Sequence, residues 1–304
     1  MHVGPQASQP SRKPARWAPR VTTTPRERLV VYLFMLTMHG VPIAGLLWGS
    51  PDRSTWIALV VLYLTGSLGV IVGLHRYFAH HAFKTSRLFQ FALALLGAST
   101  FSEPIGFAGK HRLHHRYSDE RRDVHGPGFG WWHSWIGSMV DDGYSREEIF
   151  RAAADLHAFP ELVFLFRYNW VVGATTGALV WLLGGFEMFA LGFCLSRALI
   201  IHAVSSVNYF GHGWGYQRFP SNDQSTNHPL LGLLTFGEGW HNNHHFFPPA
   251  ARAGYRWWEL DLWYLCIRLF AALGLVWEIR TIPAHMRTRE RRLRFRDLWG
   301  RRAP

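Results

Sequence analysis

A chain of 304 residues with 32 Lys and Arg against 20 Asp and Glu carries a net charge of +12, and 48% of it is hydrophobic. Mean hydropathy is close to zero all the same, so the apolar residues must be gathered in blocks with the charge between them. Two cysteines, Cys194 and Cys266, both inside apolar stretches, exclude a disulfide framework or a Cys-based metal site and read as small buried side chains.

In chain order, residues 1–28 are Pro-, Ser- and Arg-rich with no apolar run of their own, which predicts a disordered basic tail rather than a signal peptide. Residues 29–49 and 55–74 are each about as long as a membrane crossing, joined by the polar link SPDRS. Residues 168–185 and 186–207 form a second such pair, separated by a Gly-Gly-Phe-Glu turn. The expectation is an all-α integral membrane protein with four transmembrane helices in two hairpins, the domain spanning 29–280 and ending in an Arg-rich tail, 281–304. Two other apolar stretches are expected not to cross. Residues 88–101 are too short. Residues 260–277 carry Arg268 at mid-length, and crossing there would export a tail with nine arginines, against the positive-inside rule.

With four crossings, the basic residues fall on one side. The turns on the other side hold Arg53 alone, so both termini and the large polar regions are expected in the cytoplasm. Topology and contact with anionic lipid account for the positive charge, and no nucleic-acid-binding module is visible.

The polar regions hold the chemistry. HRYFAHH (75–81) ends the second apolar segment, HRLHH (111–115) follows the short apolar stretch, NYFGH (208–212) follows the fourth span, and HNNHH (241–245) comes last. In both HxxHH boxes, spacings of three and four put three imidazoles on one helix face. His75 and His80 lie five apart, about 7.5 Å of helix rise, which suits one ligand to each of two neighbouring ions or a helix end that unwinds. All four elements reach one membrane face only if 88–101 and 260–277 stay out of the bilayer. His75, His80, His111, His114, His115, His212, His241, His244 and His245 make nine, too many for one ion and suited to two. Imidazole alone does not choose among Zn, Cu, Fe and Ni. Asp119, Asp123 and Glu238 lie near the boxes, where a carboxylate would take the second N–H of a ligand imidazole or pair with a neighbouring arginine.

The set GLHRYFAHHAF, KHRLHHRYSDERRDVH, SVNYFGH and LLTFGEGWHNNHHFFP resembles the membrane fatty acid desaturases, the stearoyl-CoA (delta-9) type in particular, from about residue 30 to 280. The resemblance implies two ferrous ions held by the nine histidines, with Asn208 contributing through a water. His125 stands where the family has Asp-Pro-His, and His81 where it usually has Arg. His133, His157, His202 and His228 read as structural or surface residues, and His2, His39 and His285 lie far from the boxes in sequence. Phe107 and Phe101 stand where many acyl-CoA members carry Trp and Gln that help bend the substrate, and are candidate substrate-binding residues.

A saturated methylene has no acidic proton, so acid–base side chains cannot begin its oxidation and the hard chemistry belongs to a cofactor. The resemblance implies O2-dependent insertion of a cis double bond, at delta-9, into a saturated acyl chain borne by CoA or by a lipid. No flavin, haem or iron–sulfur motif is visible, so a ferredoxin or a cytochrome b5-type donor with its reductase is expected. The alternatives are a diiron lipid or alkyl hydroxylase and, more remotely, a membrane metal-binding or transport protein. A transporter would need polar ligands at mid-bilayer, whereas these spans carry theirs at one end.

Overall fold

The computed structural model describes residues 21–291 except Val124 and Asp142, so the expected tails lie largely outside the described residues. Helix α1 (Pro25–Trp48) starts four residues before the expected span, because Thr24 and Glu27 form a capping box and Pro25 occupies the first turn. Helix α2 (Arg53–Leu68), capped by Asp52, runs on as a π-helix over Gly69–Ala79. After the short strand β1 (Lys84–Thr85) come α3 (Arg87–Ala98), capped by Ser86, and α4 (Pro104–Tyr117), capped by Glu103.

A polar segment follows, with a π-turn at His133–Gly137, the single turn α5 (Ser138–Val140), α6 (Arg146–Ala152) and α7 (Pro160–Arg167). Helix α8 (Asn169–Glu187) leads through a π-helical stretch, Met188–Cys194, into α9 (Leu195–Phe210). The last third holds α10 (Pro229–Leu234), α11 (His241–Phe246), α12 (Leu262–Ala272), strand β2 (Val276–Trp277) and the turn α13 (Ala284–Arg287). Strand β2 pairs antiparallel with β1, so the chain beyond α12 is stitched to the segment just after the first histidine box.

Three helical runs are long and apolar enough to cross a membrane: Pro25–Trp48, Arg53–Ala79 and Trp170–Phe210. The third has 41 residues, about 60 Å if straight and twice a bilayer core. It is not straight. Gly185, at φ 68° and ψ −160°, breaks it within the predicted turn. Gly177 and Phe193 then touch: a Cβ on Gly177 would lie 2.9 Å from the Phe193 ring. Sixteen residues of straight helix would put them about 24 Å apart, so the chain doubles back into a hairpin. Met38 of α1, Val180 of α8, and Phe193 with Cys194 share one apolar cluster, which packs this hairpin on α1.

The two other apolar stretches form shorter helices, α3 of 12 residues and α12 of 11, under 20 Å each. Helix α3 lies against the π-helical end of α2 where Gly69 and Gly73 leave no side chain between the backbones; a Cβ on Gly69 would meet the Leu96 carbonyl carbon at 2.3 Å. Helix α12 buries Trp263 and Ile267 and exposes Leu262, Leu265 and Leu269, the one-sided pattern of a helix lying on an apolar surface. Of the two cysteines, Cys194 is buried and Cys266 half-buried.

Candidate metal centre

The four histidine elements arrive from different helices. His75 sits in the π-helix that ends α2, His80 caps that helix, and His111, His114 and His115 lie on α4. His212 follows the end of α9, and His241, His244 and His245 lie on α11. Their nitrogens gather into two groups, His75, His80, His111, His115 and His244 in one, and His114, His212, His241 and His245 in the other. Every histidine of the predicted set is present in one of them. Asn208, one helical turn before His212, lines the cavity beside them.

Two details differ from the spacing argument. His75 and His80 do not serve separate groups; both belong to the first, with rings 5.0 Å apart. The wider turn of the π-helix brings residues five apart onto one side, a local distortion that recurs at functional sites. Nor does either HxxHH box act as a unit. His111 and His115 face the first group while His114 faces the second, and His244 is divided from His241 and His245 in the same way. The shared helix face straddles the two groups and so sets the distance between them.

The hydrogen bonds define which nitrogen is free. His75 Nδ1 lies 2.8 Å from Glu238 Oε2, and His114 Nδ1 lies 2.7 Å from Asp123 Oδ1. His212 Nδ1 is 3.1 Å from Asp119, and His245 Nδ1 is 2.6 Å from Asp223. Each carboxylate takes the Nδ1–H, so that the neutral form of each ring has its lone pair on Nε2, the tautomer a metal ligand needs. The carboxylates are themselves held. Glu238 and Asp261 both accept from Arg76, at 2.6 and 2.9 Å. Asp119, at φ 63°, takes the Gln224 N–H. Burial pushes Glu238 upward, but Arg76 and His75 outweigh it and draw its carboxyl down to about 2. Asp123 and Asp223 likewise sit below the usual carboxylate range, burial being overcome by His114 and His245 respectively.

The lone pairs then face one another. His114 Nε2 and His245 Nε2 are 3.4 Å apart, and His75 Nε2 and His244 Nε2 are 3.0 Å apart. With both Nδ1–H groups of the first pair committed to aspartates, no proton remains to share between the Nε2 atoms. Two lone pairs at this range repel unless a cation lies between them, and the donor set fits metal ions. Burial, followed by neighbouring imidazoles, depresses the pKa of His80, His111, His115, His241 and His244, keeping these rings neutral.

A cavity of about 620 Å³ reaches both groups, with His75, His111 and His241 in its wall. Phe101 and Phe107 line it, as do Val70, Val204 and Val207. The match to one family is decisive: residues 54–281 fit the fatty acid desaturases. The chain belongs to the fatty acid desaturase family. It is 34% identical over 264 residues to the sn-1 stearoyl-lipid 9-desaturase of Anabaena variabilis, covering 85% of this chain and 96% of that relative. It is 32% identical over 290 residues to the hex-5-enoyl-[acyl-carrier protein] acetylenase of Moorena producens, covering 86% and 88%. The delta-9 acyl-lipid desaturase 1 of Arabidopsis thaliana is 32% identical over 246 residues, covering 79% and 80%. With its long apolar helices, this desaturase is a membrane oxidoreductase of fatty acyl chains.

Asp223 is the residue that sequence reasoning missed. It lies outside every box, and only the fold places it against His245. Asn242 and Asn243 of the last box were also passed over. They are buried and hold α11 in place: Asn242 Oδ1 accepts the Phe219 N–H at 2.8 Å, and Asn243 donates to the Ala253 carbonyl at 2.7 Å. Of the other histidines, His81 is exposed beside Asp155 and belongs to neither group. His125 is buried against His114, ring centroids 4.2 Å apart.

Proposed function

We propose that this desaturase is a diiron enzyme that uses O2 and two externally supplied electrons to place a cis double bond, at delta-9, in a saturated acyl chain. The observation that carries the reading is the close approach of imidazole Nε2 atoms in two adjacent groups at the wall of an apolar cavity. Five imidazoles would hold one iron. Four, with Asn208 through a water, would hold the other. When bound, the pair of irons supplies the oxidising power that no side chain has.

The remaining work falls to the polypeptide. Glu238, Asp119, Asp123 and Asp223 fix the tautomer and direction of four ligand rings, and Arg76 with His75 keeps Glu238 ionised in a buried setting. Phe101, Phe107, Val204 and Val207 give the chain an apolar wall and exclude water from the carbons to be oxidised. Phe107 stacks on His111 at 5.8 Å, which puts this wall directly beside the first group.

We further read both halves of the Trp170–Phe210 hairpin as crossings, giving four, with the histidines on the cytoplasmic side. Contact between Thr22, just before α1, and Asp141 in the polar segment supports a common side for the N-terminus and the site. The Arg-rich face would receive an acidic ferredoxin or cytochrome b5-type donor. The named relatives act on chains held by lipid or by acyl-carrier protein, so likeness alone leaves the carrier open.

Lipid profiling with double-bond location, in a host without its own desaturase, tests this reading. A monounsaturated chain two hydrogens lighter is expected. A hydroxylated chain carrying an extra oxygen would replace the desaturase reading with the hydroxylase.

A further inference from the structure

We propose that the cavity is loaded sideways from the bilayer, taking the saturated acyl chain of a glycerolipid through a portal between the first turns of α1 and α8. The head group stays outside. The proposal rests on the desaturase reading for the fate of the chain, but the portal itself follows from position and chemistry.

Val30 and Val31 of α1 and Asn169 and Trp170 of α8 line one part of the cavity. Val30 is 59% exposed and Trp170 61%. Both stand at the start of helices long and apolar enough to cross, so the medium they face is the edge of the lipid, where Trp is enriched. Deeper along the same helices the gap is closed. The Phe101 ring lies 5.0 Å from Phe34 of α1, and a Cβ on Gly173 of α8 would come within 2.7 Å of it. Phe101 holds this position at φ 63°, a costly backbone for a bulky residue. The opening is thereby confined to head-group depth.

The lining says what can enter. Among the described residues Lys110 is the single lysine or arginine in the wall, and its charge acts on the buried Glu103. A glycerolipid brings at most one phosphate and leaves it in the head-group layer. There Arg26 and Arg28, in the first turn of α1, and Arg167, just before α8, are placed to meet it.

The α1 edge of the portal is braced from two directions. Asp141 accepts from the N–H and hydroxyl groups of Thr22 and Thr23, at 2.8 to 3.2 Å, just ahead of α1. The Trp135 indole donates to His202 Nδ1 at 3.0 Å, which leaves His202 Nε2–H to donate to His39 Nε2 at 3.0 Å and His39 Nδ1–H to the Met35 carbonyl at 2.7 Å. Each group in that relay has a partner. The segment carrying Ser138 and Met139, which roofs the cavity, is thus tied to α1 and α9 and keeps the entrance from collapsing.

The test uses the full chain in vesicles of 1-stearoyl-2-oleoyl phosphatidylglycerol. Iron-loaded protein is reduced with dithionite and exposed to O2 for a single turnover, with stearoyl-CoA and stearoyl-acyl-carrier protein as separate additions. A second readout needs no metal: a phosphatidylglycerol with a diazirine at mid-chain is photolysed with iron-free protein, and the labelled peptides are mapped. We expect the stearoyl chain of the vesicle lipid to gain a double bond without added thioester, and label within 101–111. Val30→Trp should lower both at least tenfold, while Leu36→Trp, on the exposed face of α1, should change neither. If Val30→Trp does not fold, Val30→Cys in a Cys266→Ser background, blocked with a bulky maleimide after purification, replaces it. Product from a thioester alone, untouched by either block, overturns the portal and leaves the desaturase reading standing. Label inside the cavity with no unsaturated product from any carrier does the reverse. Neither label nor product removes both.

Discussion

Asp223 holds His245 by a 2.6 Å contact to Nδ1 while Ser225 donates to the other carboxylate oxygen from its N–H at 3.0 Å. The aspartate therefore orients an imidazole of the four-histidine group from a loop that belongs to no histidine box. Asp223→Ala should leave His245 free to rotate or change tautomer, and metal affinity at the four-histidine group should fall roughly 10- to 100-fold. Iron per purified protein is expected to drop from two towards one, with Asp223→Asn intermediate. An unchanged iron content would mean that Asp223 has no part in presenting the ligand.

His244→Ala and His114→Ala remove one donor from each group and should each abolish product formation. Both variants should still insert in the membrane, because the long apolar helices do not depend on these rings. Near-normal desaturation in either, measured beside a membrane-fraction blot, would count heavily against the ligand assignment.

Asn208→Ala should be milder than any histidine change, since its proposed contribution passes through a water that other groups can hold. Residual desaturation well above that of His212→Ala is the expected result, read as the fraction of chains unsaturated in the expressing host.

Glu103 offers a pH test away from the metal ligands. It caps α4, accepting from Ile105 and Gly106 at 2.8 and 2.7 Å, and burial raises its pKa to about 7 despite those bonds. A carboxyl with a raised folded-state pKa binds a proton more tightly folded than unfolded. Its stabilising effect is greatest in acid and is lost as pH rises from about 4.5 through 7, on the order of 3 kcal/mol at most. In thermal unfolding of detergent-solubilised protein, Glu103→Gln should remove this decline, so that the variant gains on the parent between pH 5 and pH 8. Parallel curves for the two proteins would show that Glu103 does not titrate in that window.

Gly69→Ala should loosen the contact that positions His75. The added methyl would meet the backbone of Leu96 and Gly97 at 2.3 and 2.4 Å, and backbone cannot rotate away as a side chain can. A loss of about 1–3 kcal/mol in stability is expected, with iron content falling in step if α3 and the π-helix separate. Full stability in a chemical-denaturation series would show that α3 shifts at little cost.

Much of this protein was legible in one dimension because its main constraints are local. Apolar runs of bilayer length, the turn at Gly185, the shortness of α3 and the position of Arg268 in α12 can all be read from neighbouring residues, since helix length and membrane thickness are both set per residue. The histidine boxes were visible for the same reason: spacings of three and four are a helix face. The division of each box between two groups was not. It depends on how α4 and α11 cross, a matter of packing between segments more than a hundred residues apart. The π-helix that gathers His75 and His80 arises where α2 meets α3, and Asp223 reaches His245 through a loop with no regular pattern. The entrance between α1 and α8 likewise exists only once Phe101, strained against Phe34 and Gly173, has closed the gap beneath it. Periodicity assigned the residue types and their faces; long-range packing decided which nitrogens meet and where a lipid chain can enter.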